Sequence, residues 1–442
     1  MATGAGSLCV AKSRPKREAT VVEKLRKAGA IILGKTNLSE FSGARGPFPS
    51  GWSSRGNQTF GAYVEFQTAC GSSSGSGVAA SLGLAAAALG TETSGSITCP
   101  ASLNNVVGIK PTMGLTSRFG VVPITIRQDT TGPLAQSVAD AALILDAIAG
   151  PDANDNYTLI QPPHVQGSYS AALNESALQG KRIGAVFYEH NVWNNSGLAA
   201  NMKQAKRLFD AALADLEVAG AEVIRIDLGF HGVPLNESLL EIGNNSMNYV
   251  LPDFAEGLLK YMEGTLPDHR APKTLQELLE CIENTPAERA TEFDPDIVRR
   301  AANTTATAGS AESWASYTTA KSISREILLS PLKEHNLDGL ATFMDISIVL
   351  AAAPGLPIVT VPMGAIGADG TTVWDIYNKT VAMAPGMPLG LTFVGDQWSE
   401  RTLIGYAYAY EQVSKKRQTL SPYLKIDADL DSIMAVLEPK DL

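Results

Sequence analysis

"ACGSSSGSGV", Ala69–Val78, and "TETSGSITCPAS", Thr91–Ser102, are the two stretches on which the reading of this chain turns. From Gly71 to Gly77 every residue is serine or glycine. Such residues bury little surface, and glycine orders at a high entropic cost. They stand where a backbone needs an unusual shape or a reaction needs hydroxyls. Three chemistries use them. A phosphate cradle is suggested by Gly71, Gly75 and Gly77 at a helix start. Against it, neither Gly-Lys-Ser/Thr nor G-x-G-x-x-G is present. A hydrolase elbow is suggested by "GSSSG" around Ser73, a formal G-x-S-x-G. It needs an acid and then a histidine downstream, and His164, His190, His231, His269 and His335 have no strand-end context. The third is a serine hydrolase that uses no histidine. Thr93, Ser94, Gly95 and Ser96 have the composition of a turn whose N–H groups converge on an oxyanion. The bland alternative is a pair of tight turns before close-packed helices. Two clusters at close range, with Pro100 fixing the exit of the second, weigh against it.

Outward from these clusters, strands and helices alternate. "EATVVEKLRKA" (Glu18–Ala28) has helical spacing and "AIILGKTN" after it reads as a buried strand. Gly77–Leu89 reads as an Ala-rich helix and "NVVGIKPT" as a strand. "SVADAALILDAIAG" opens on Ser137 three residues before Asp140, a helix start, and closes at Gly150. "KRIGAVF" and "AEVIRI" are strands around a helix over Leu198–Ala219. Residues from Leu235 to Ser330 are mostly helical. "GLATF", "PIVTVPMG" and "LGLTFVG" are strands, and Ser399–Lys415 is a helix. The class is α/β, a central mixed β-sheet covered by helices on both faces. One domain over 1–442 is expected, with 151–336 a largely helical region.

The composition is that of a globular protein, 45% hydrophobic and 18% charged. A formal net charge of −10 speaks against nucleic acid. The one basic run, Lys12–Lys27, is interrupted by Glu18 and Glu23. Cys9, Cys70, Cys99 and Cys281 show no CxxC spacing, so neither a zinc site nor a disulfide framework is expected. No membrane span and no secretory leader is read, which makes a soluble, cytoplasmic protein the default. Nine Asn-x-Ser/Thr sequons point the other way, toward a secreted parent: Asn37, Asn57, Asn156, Asn174, Asn194, Asn236, Asn244, Asn303 and Asn378.

The run from "CGSSSGSGVAASLG" through "GTETSGSITCPASLNNVVGIKPTMGLTSRFGVVPITIRQDTTGPLAQSVADAA" resembles the signature region of the amidase signature family, peptide-amidase-like branch. "REATVVEKLRKAGAIILGKTNLSEFS" and "PGMPLGLTFVGDQWSERTLIGYAYAYEQ" extend the likeness over nearly the whole chain, weakest from Pro151 to Asn336. The resemblance implies the amidase signature fold and hydrolysis of a carboxylic amide through an acyl-enzyme. It implies Ser96 as nucleophile, Ser72 as a bridging serine on a cis peptide, and Thr93–Ser96 as the oxyanion turn. It implies a small-molecule or peptide amide substrate and no metal or organic cofactor. Oligomeric state is not legible.

The family's third catalytic residue is a lysine in a Lys-Asp-Asn-like strand, and these 442 residues contain no such tripeptide. Lys35 and Lys110 belong to other family motifs, "GKTN" and "GIKPT". Two explanations stand: a chain truncated at its N-terminus, which would leave a sheet edge or core face uncovered, or an inactive amidase-like binding or regulatory protein. Either way, little activity is expected of the chain alone. An α/β-hydrolase-type esterase is the remaining alternative.

Overall fold

The computed structural model describes residues 1–165, 167–188, 196–265 and 271–424. Eight strands form one sheet: β1 (Ala87–Glu92), β2 (Val107–Lys110), β3 (Thr130–Ala135), β4 (Arg182–Val186), β5 (Glu222–Arg225), β6 (Gly339–Phe343), β7 (Ile358–Ala365) and β8 (Pro388–Val394). Their spatial order is β1-β3-β2-β7-β8-β6-β4-β5. Neighbours are antiparallel from β1 to β6 and parallel from β6 to β5. The central strands β2, β6, β7 and β8 are buried almost throughout, as strands covered on both faces must be.

Side-chain alternation sorts the apolar residues to two faces. Val359, Val361, Leu391 and Phe393 join one cluster, with the helices Val138–Ile148, Ser196–Val218 and Glu400–Ser414. Leu340, Ile358 and Val394 join another, under Leu235–Glu263 and Ala311–Glu334. A third cluster lies where Leu235–Glu263 meets Leu275–Asn284 and Asp296–Asn303. The expected cap is present: Ser137 Oγ accepts the Asp140 N–H at 3.1 Å.

Several expectations change. The Ala-rich helix is Ser74–Ser81, shorter than Gly77–Leu89 at its far end. Gly83, at φ +69°, stops it: the Leu84 N–H reaches the Ala79 carbonyl and the Gly83 N–H that of Ala80. Ala87–Glu92 then pairs with Thr130–Ala135, so sheet pairing overrides the helical propensity of alanine. That partner strand contains Gly132 and Pro133 and has no strand signature of its own. Pro133 is tolerated because β3 meets β2 only at Leu134 and Ala135. "AIILGKTN" forms no strand. No ladder partner runs beside it among the described residues, and Ile31 and Leu33 are 85% and 72% exposed. The absence of disulfides is also corrected. Cys9 pairs with Cys281, and Cys70 with Cys99. Short-range spacing rules miss bridges between residues 272 and 29 apart in sequence.

Candidate active site

The two serine clusters are joined at their backbones. The Ser73 N–H donates to the Ser96 carbonyl at 3.1 Å, and a disulfide ties Cys70 of the first to Cys99 of the second. The peptide bond between Gly71 and Ser72 is cis. A Cβ at Gly71 would lie 2.3 Å from Ser39 Oγ and 2.5 Å from Ser50 Oγ, so a side chain there would have to displace both hydroxyls. Ser39 in turn donates its N–H to the Ser72 carbonyl at 3.0 Å.

The three hydroxyls of the triplet have separate surroundings. Ser73 Oγ accepts the Thr91 N–H at 3.1 Å and donates to the Thr91 carbonyl at 3.2 Å, which pins the helix Ser74–Ser81 to β1. Ser74 Oγ donates to the Cys70 carbonyl. Ser73 is thus spent on structure, and the elbow reading of "GSSSG" loses its nucleophile. The sheet is also largely antiparallel around β1–β8. Of the histidines, His231 pairs at the surface with Glu326 at 2.7 Å, while His190 and His269 lie outside the described residues.

The turn Thr93–Ser96 is built on a residue that sequence reading overlooked. Glu92, 1% exposed, accepts the N–H groups of Gly95 at 2.8 Å, Ile97 at 2.7 Å and Thr98 at 2.9 Å. The Thr98 hydroxyl donates to it as well. One carboxylate therefore folds the turn and caps the following helix, Thr98–Leu103. Gly95 sits at φ +80°, and a Cβ there would lie 2.7 Å from Ile348. Its N–H is committed to Glu92. Asp129 supports the outer side. It accepts from Thr93 Oγ1 at 2.6 Å and from the Ile124 and Thr125 N–H groups, and burial pushes its carboxyl up to about 6.

Ser96 opens into a cleft of ≈ 180 Å³ with two unlike walls. Thr93, Ser94 and Ser96 form one. The other is apolar: Met247, Val250, Leu251 and Phe254 from the helix Leu235–Glu263, with Ile297 and Ile124. That helix is anchored beside the cleft by Asp253, which accepts from Thr125 Oγ1 and lies 3.4 Å from Arg127.

The lysines of the signature motifs are engaged elsewhere. Lys110 is fully buried and donates to the Leu356 carbonyl at 2.8 Å and the Pro111 carbonyl at 3.3 Å. Burial pushes it down to about 8, against the pull of Glu92 and Glu400. Lys35 donates to Thr3 Oγ1.

Residues 1–404 match the family described as Amidase. The chain belongs to the amidase family. Its members hydrolyse amide bonds, and the similarities run along the whole chain. An Arthroderma benhamiae protein designated an amidase is 38% identical over 441 residues, 98% of this chain and 72% of that one. An Arabidopsis thaliana protein, also designated an amidase, is 36% identical over 419 residues, 94% of this chain and 74% of that one. Among solved structures, the native peptide amidase from Stenotrophomonas maltophilia superposes with a TM-score of 0.82 at 37% identity, covering 96% of this chain and 82% of that one. The amidase fold, with its large mixed sheet between helices, is thus the fold of this chain. Among the described residues, no helix is long and apolar enough to cross a membrane.

Proposed function

We propose that the amide-hydrolysing site of this amidase is built on Ser96 as nucleophile and Ser72 as the serine that relays its proton. The observation that carries this reading is the position of Ser96 on the cleft, on a turn held by Glu92 and bonded to the Ser72–Ser73 backbone. Ser96 Oγ would attack the amide carbonyl. N–H groups of the Thr93–Ser96 turn would stabilise the oxyanion, as preorganised donors do in a site with little water. Ammonia or an amine leaves with a proton, and water then releases the acid from the acyl-enzyme. The apolar wall from residues 247–297 would receive the acyl group of a small-molecule or peptide amide, which makes the region 151–336 the part that shapes the substrate site. All of these elements belong to one domain on this reading.

A serine hydroxyl needs a base, and a neighbouring serine can relay a proton but not hold it. The bonds of Lys35 and Lys110 to Thr3 and to backbone carbonyls give neither that role. On this reading, a form of the protein without such a lysine is slow, by about 10²–10⁴-fold or more, the usual worth of general-base assistance. The test compares three proteins on a set of carboxylic amides: this chain, a version extended with a Lys-Asp-Asn segment, and that version with its lysine changed to alanine. A serine-directed fluorophosphonate is expected to label Ser96 in the extended version and not in its Ser96→Ala variant. Equal rates in all three would show that another base serves Ser96. Unchanged labelling in Ser96→Ala would remove Ser96 as the nucleophile.

A further inference from the structure

Two features of this chain lie outside the amide chemistry: its sequons and its cysteines. The chain has 19 asparagines and 65 serines and threonines among 442 residues, which would give about three Asn-x-Ser/Thr tripeptides by chance; it has nine. Asn194 lies outside the described residues, and the fold sorts the other eight sharply. Asn57, Asn156, Asn174, Asn236, Asn244, Asn303 and Asn378 are all exposed. They stand on loops, at helix ends, on the two-residue strand Asn57–Gln58 and, for Asn244, at an exposed position of the helix Leu235–Glu263, where an enzyme or a bulky adduct can reach them. Asn37 is the exception. Its Nδ2 donates to the Asn57 carbonyl at 2.9 Å, to Thr59 Oγ1 at 2.9 Å and to the Gly51 carbonyl at 3.3 Å, while its Oδ1 accepts from Ser53 at 2.7 Å. Nothing can be attached to that nitrogen without dismantling the corner it holds.

The cysteines give an independent observation. All four are paired, and one pair, Cys70–Cys99, joins the two serine clusters. Persistent disulfides belong to oxidising compartments, and a cytosol at its glutathione poise keeps such thiols reduced. The same compartments carry the machinery that reads sequons. From these two observations we propose that this amidase matures in a secretory pathway and is N-glycosylated at its exposed sequons, with Asn37 left unmodified. In each modification the asparagine Nδ2 forms a bond to C1 of a glycan. The C1–O bond to a lipid-linked diphosphate breaks, the diphosphate leaves with the electron pair, and the amide proton passes to the transferase. Each disulfide forms by exchange with a disulfide-bearing oxidase, which takes up the two protons and two electrons. Two of the sites flank the cleft: Asn244 is one helical turn from Met247, and Asn303 ends the helix that carries Ile297. Glycans there would border the entrance to Ser96.

The experiment uses the protein isolated from its own cells or medium. Free thiols are alkylated before reduction and released thiols afterwards with a second reagent. A peptide:N-glycosidase digestion in H₂¹⁸O then marks each formerly glycosylated asparagine as ¹⁸O-aspartate for mass spectrometry. Marking at one or more of the seven exposed sites, with Asn37 unmarked and all four cysteines alkylated only after reduction, is the expected result. Seven unmarked sites, a marked Asn37, or cysteines alkylated without reductant would overturn it. Neither readout depends on turnover, so the inference stands or falls apart from the assignment of Ser96.

Discussion

The two walls of the cleft are made by opposite means. On the sheet side, Thr93–Ser96 is shaped by backbone groups, and each of those contacts has one partner and one geometry. Glu92 receives three N–H groups, Asp129 receives Thr93, and Cys70–Cys99 closes the ring. On the helical side, Met247, Val250, Leu251, Phe254 and Ile297 present apolar side chains that another set of similar volume could replace. On the proposed function, the first wall fixes where the reaction occurs and the second fixes what fits beside it. A substitution should therefore be felt mainly in folding on the first wall and mainly in substrate choice on the second.

The largest effect is expected at Glu92. Glu92→Ala leaves the N–H groups of Gly95, Ile97 and Thr98 buried without their acceptor. At about 1–3 kcal/mol for each unsatisfied group, the loss is about 3–9 kcal/mol. Denaturant unfolding should show it, or the protein should fail to accumulate. Glu92→Gln keeps one acceptor oxygen and should recover part of the loss. An alanine variant as stable as the parent would mean that the turn is held by something other than Glu92. Next in size is the Cys70→Ala/Cys99→Ala pair. Removing a bridge across 29 residues should cost about 3–4 kcal/mol if the loss follows chain entropy. It should cost amide hydrolysis more than thermal stability alone explains, because the bridge ties the Ser72 turn to the Ser96 turn. Reducing agent should reproduce the loss of amide hydrolysis in the parent, and should cost the double variant only what opening Cys9–Cys281 costs.

This contrast also explains what could be read from the sequence. The turn wall was legible because its motifs are local: Gly71, Ser72, Gly95 and Ser96 stand within 26 residues and have few other uses. Glu92 carries no signal of its own although it stands within the second cluster. An acid among threonines is ordinary on a surface, and only its burial reveals the role. The disulfides were missed because their partners are distant in sequence. The helical wall was legible only as helices. Which of its apolar residues face Ser96 depends on how Leu235–Glu263 packs across the sheet, and periodicity does not report that. "AIILGKTN" misled for the same reason: a strand needs a neighbour as well as a pattern.

A pH-dependent effect, beside the cleft-lining residues Ser42–Ala44, comes from a buried charge cluster. Glu40 and Arg45 pair at 2.8 Å with no exposure, and Glu288, from the helical region, lies 4.0 Å from the same guanidinium. Burial first, and then the Glu288 carboxylate, push Glu40 up to about 8. Its folded value is thus above its unfolded one, so the stability it contributes is fully present below about pH 4.5 and is lost as pH rises to about 8. The slope is at most about 1.4 kcal/mol per pH unit. Glu40→Gln removes that dependence. It should match the parent closely near pH 5 and gain on it steadily toward pH 8, with no further change beyond. Parallel melting curves for the two proteins across this range would place the proton elsewhere.

The smallest effect on stability, and the sharpest test of the contrast, is at Leu251. It is half-buried and lines the apolar wall, with no hydrogen bond from its side chain to the turn. Leu251→Ala should lower stability by about 1 kcal/mol, since only part of the side chain leaves a packed environment. In the cleft the same truncation removes apolar surface that an acyl group would cover. At about 25 cal/mol per Å², losing some 40 Å² of contact is worth about 1 kcal/mol, or roughly five-fold in binding. The loss should appear with amides of bulky apolar acids and vanish with glycinamide, which cannot reach the wall. A useful control is Thr93→Ala, which removes a hydroxyl from the opposite wall and should weaken both kinds of amide alike. If Leu251→Ala also lowered both equally, the helical wall would be acting through the turn rather than on the acyl group, and the division of labour between the two walls would not hold.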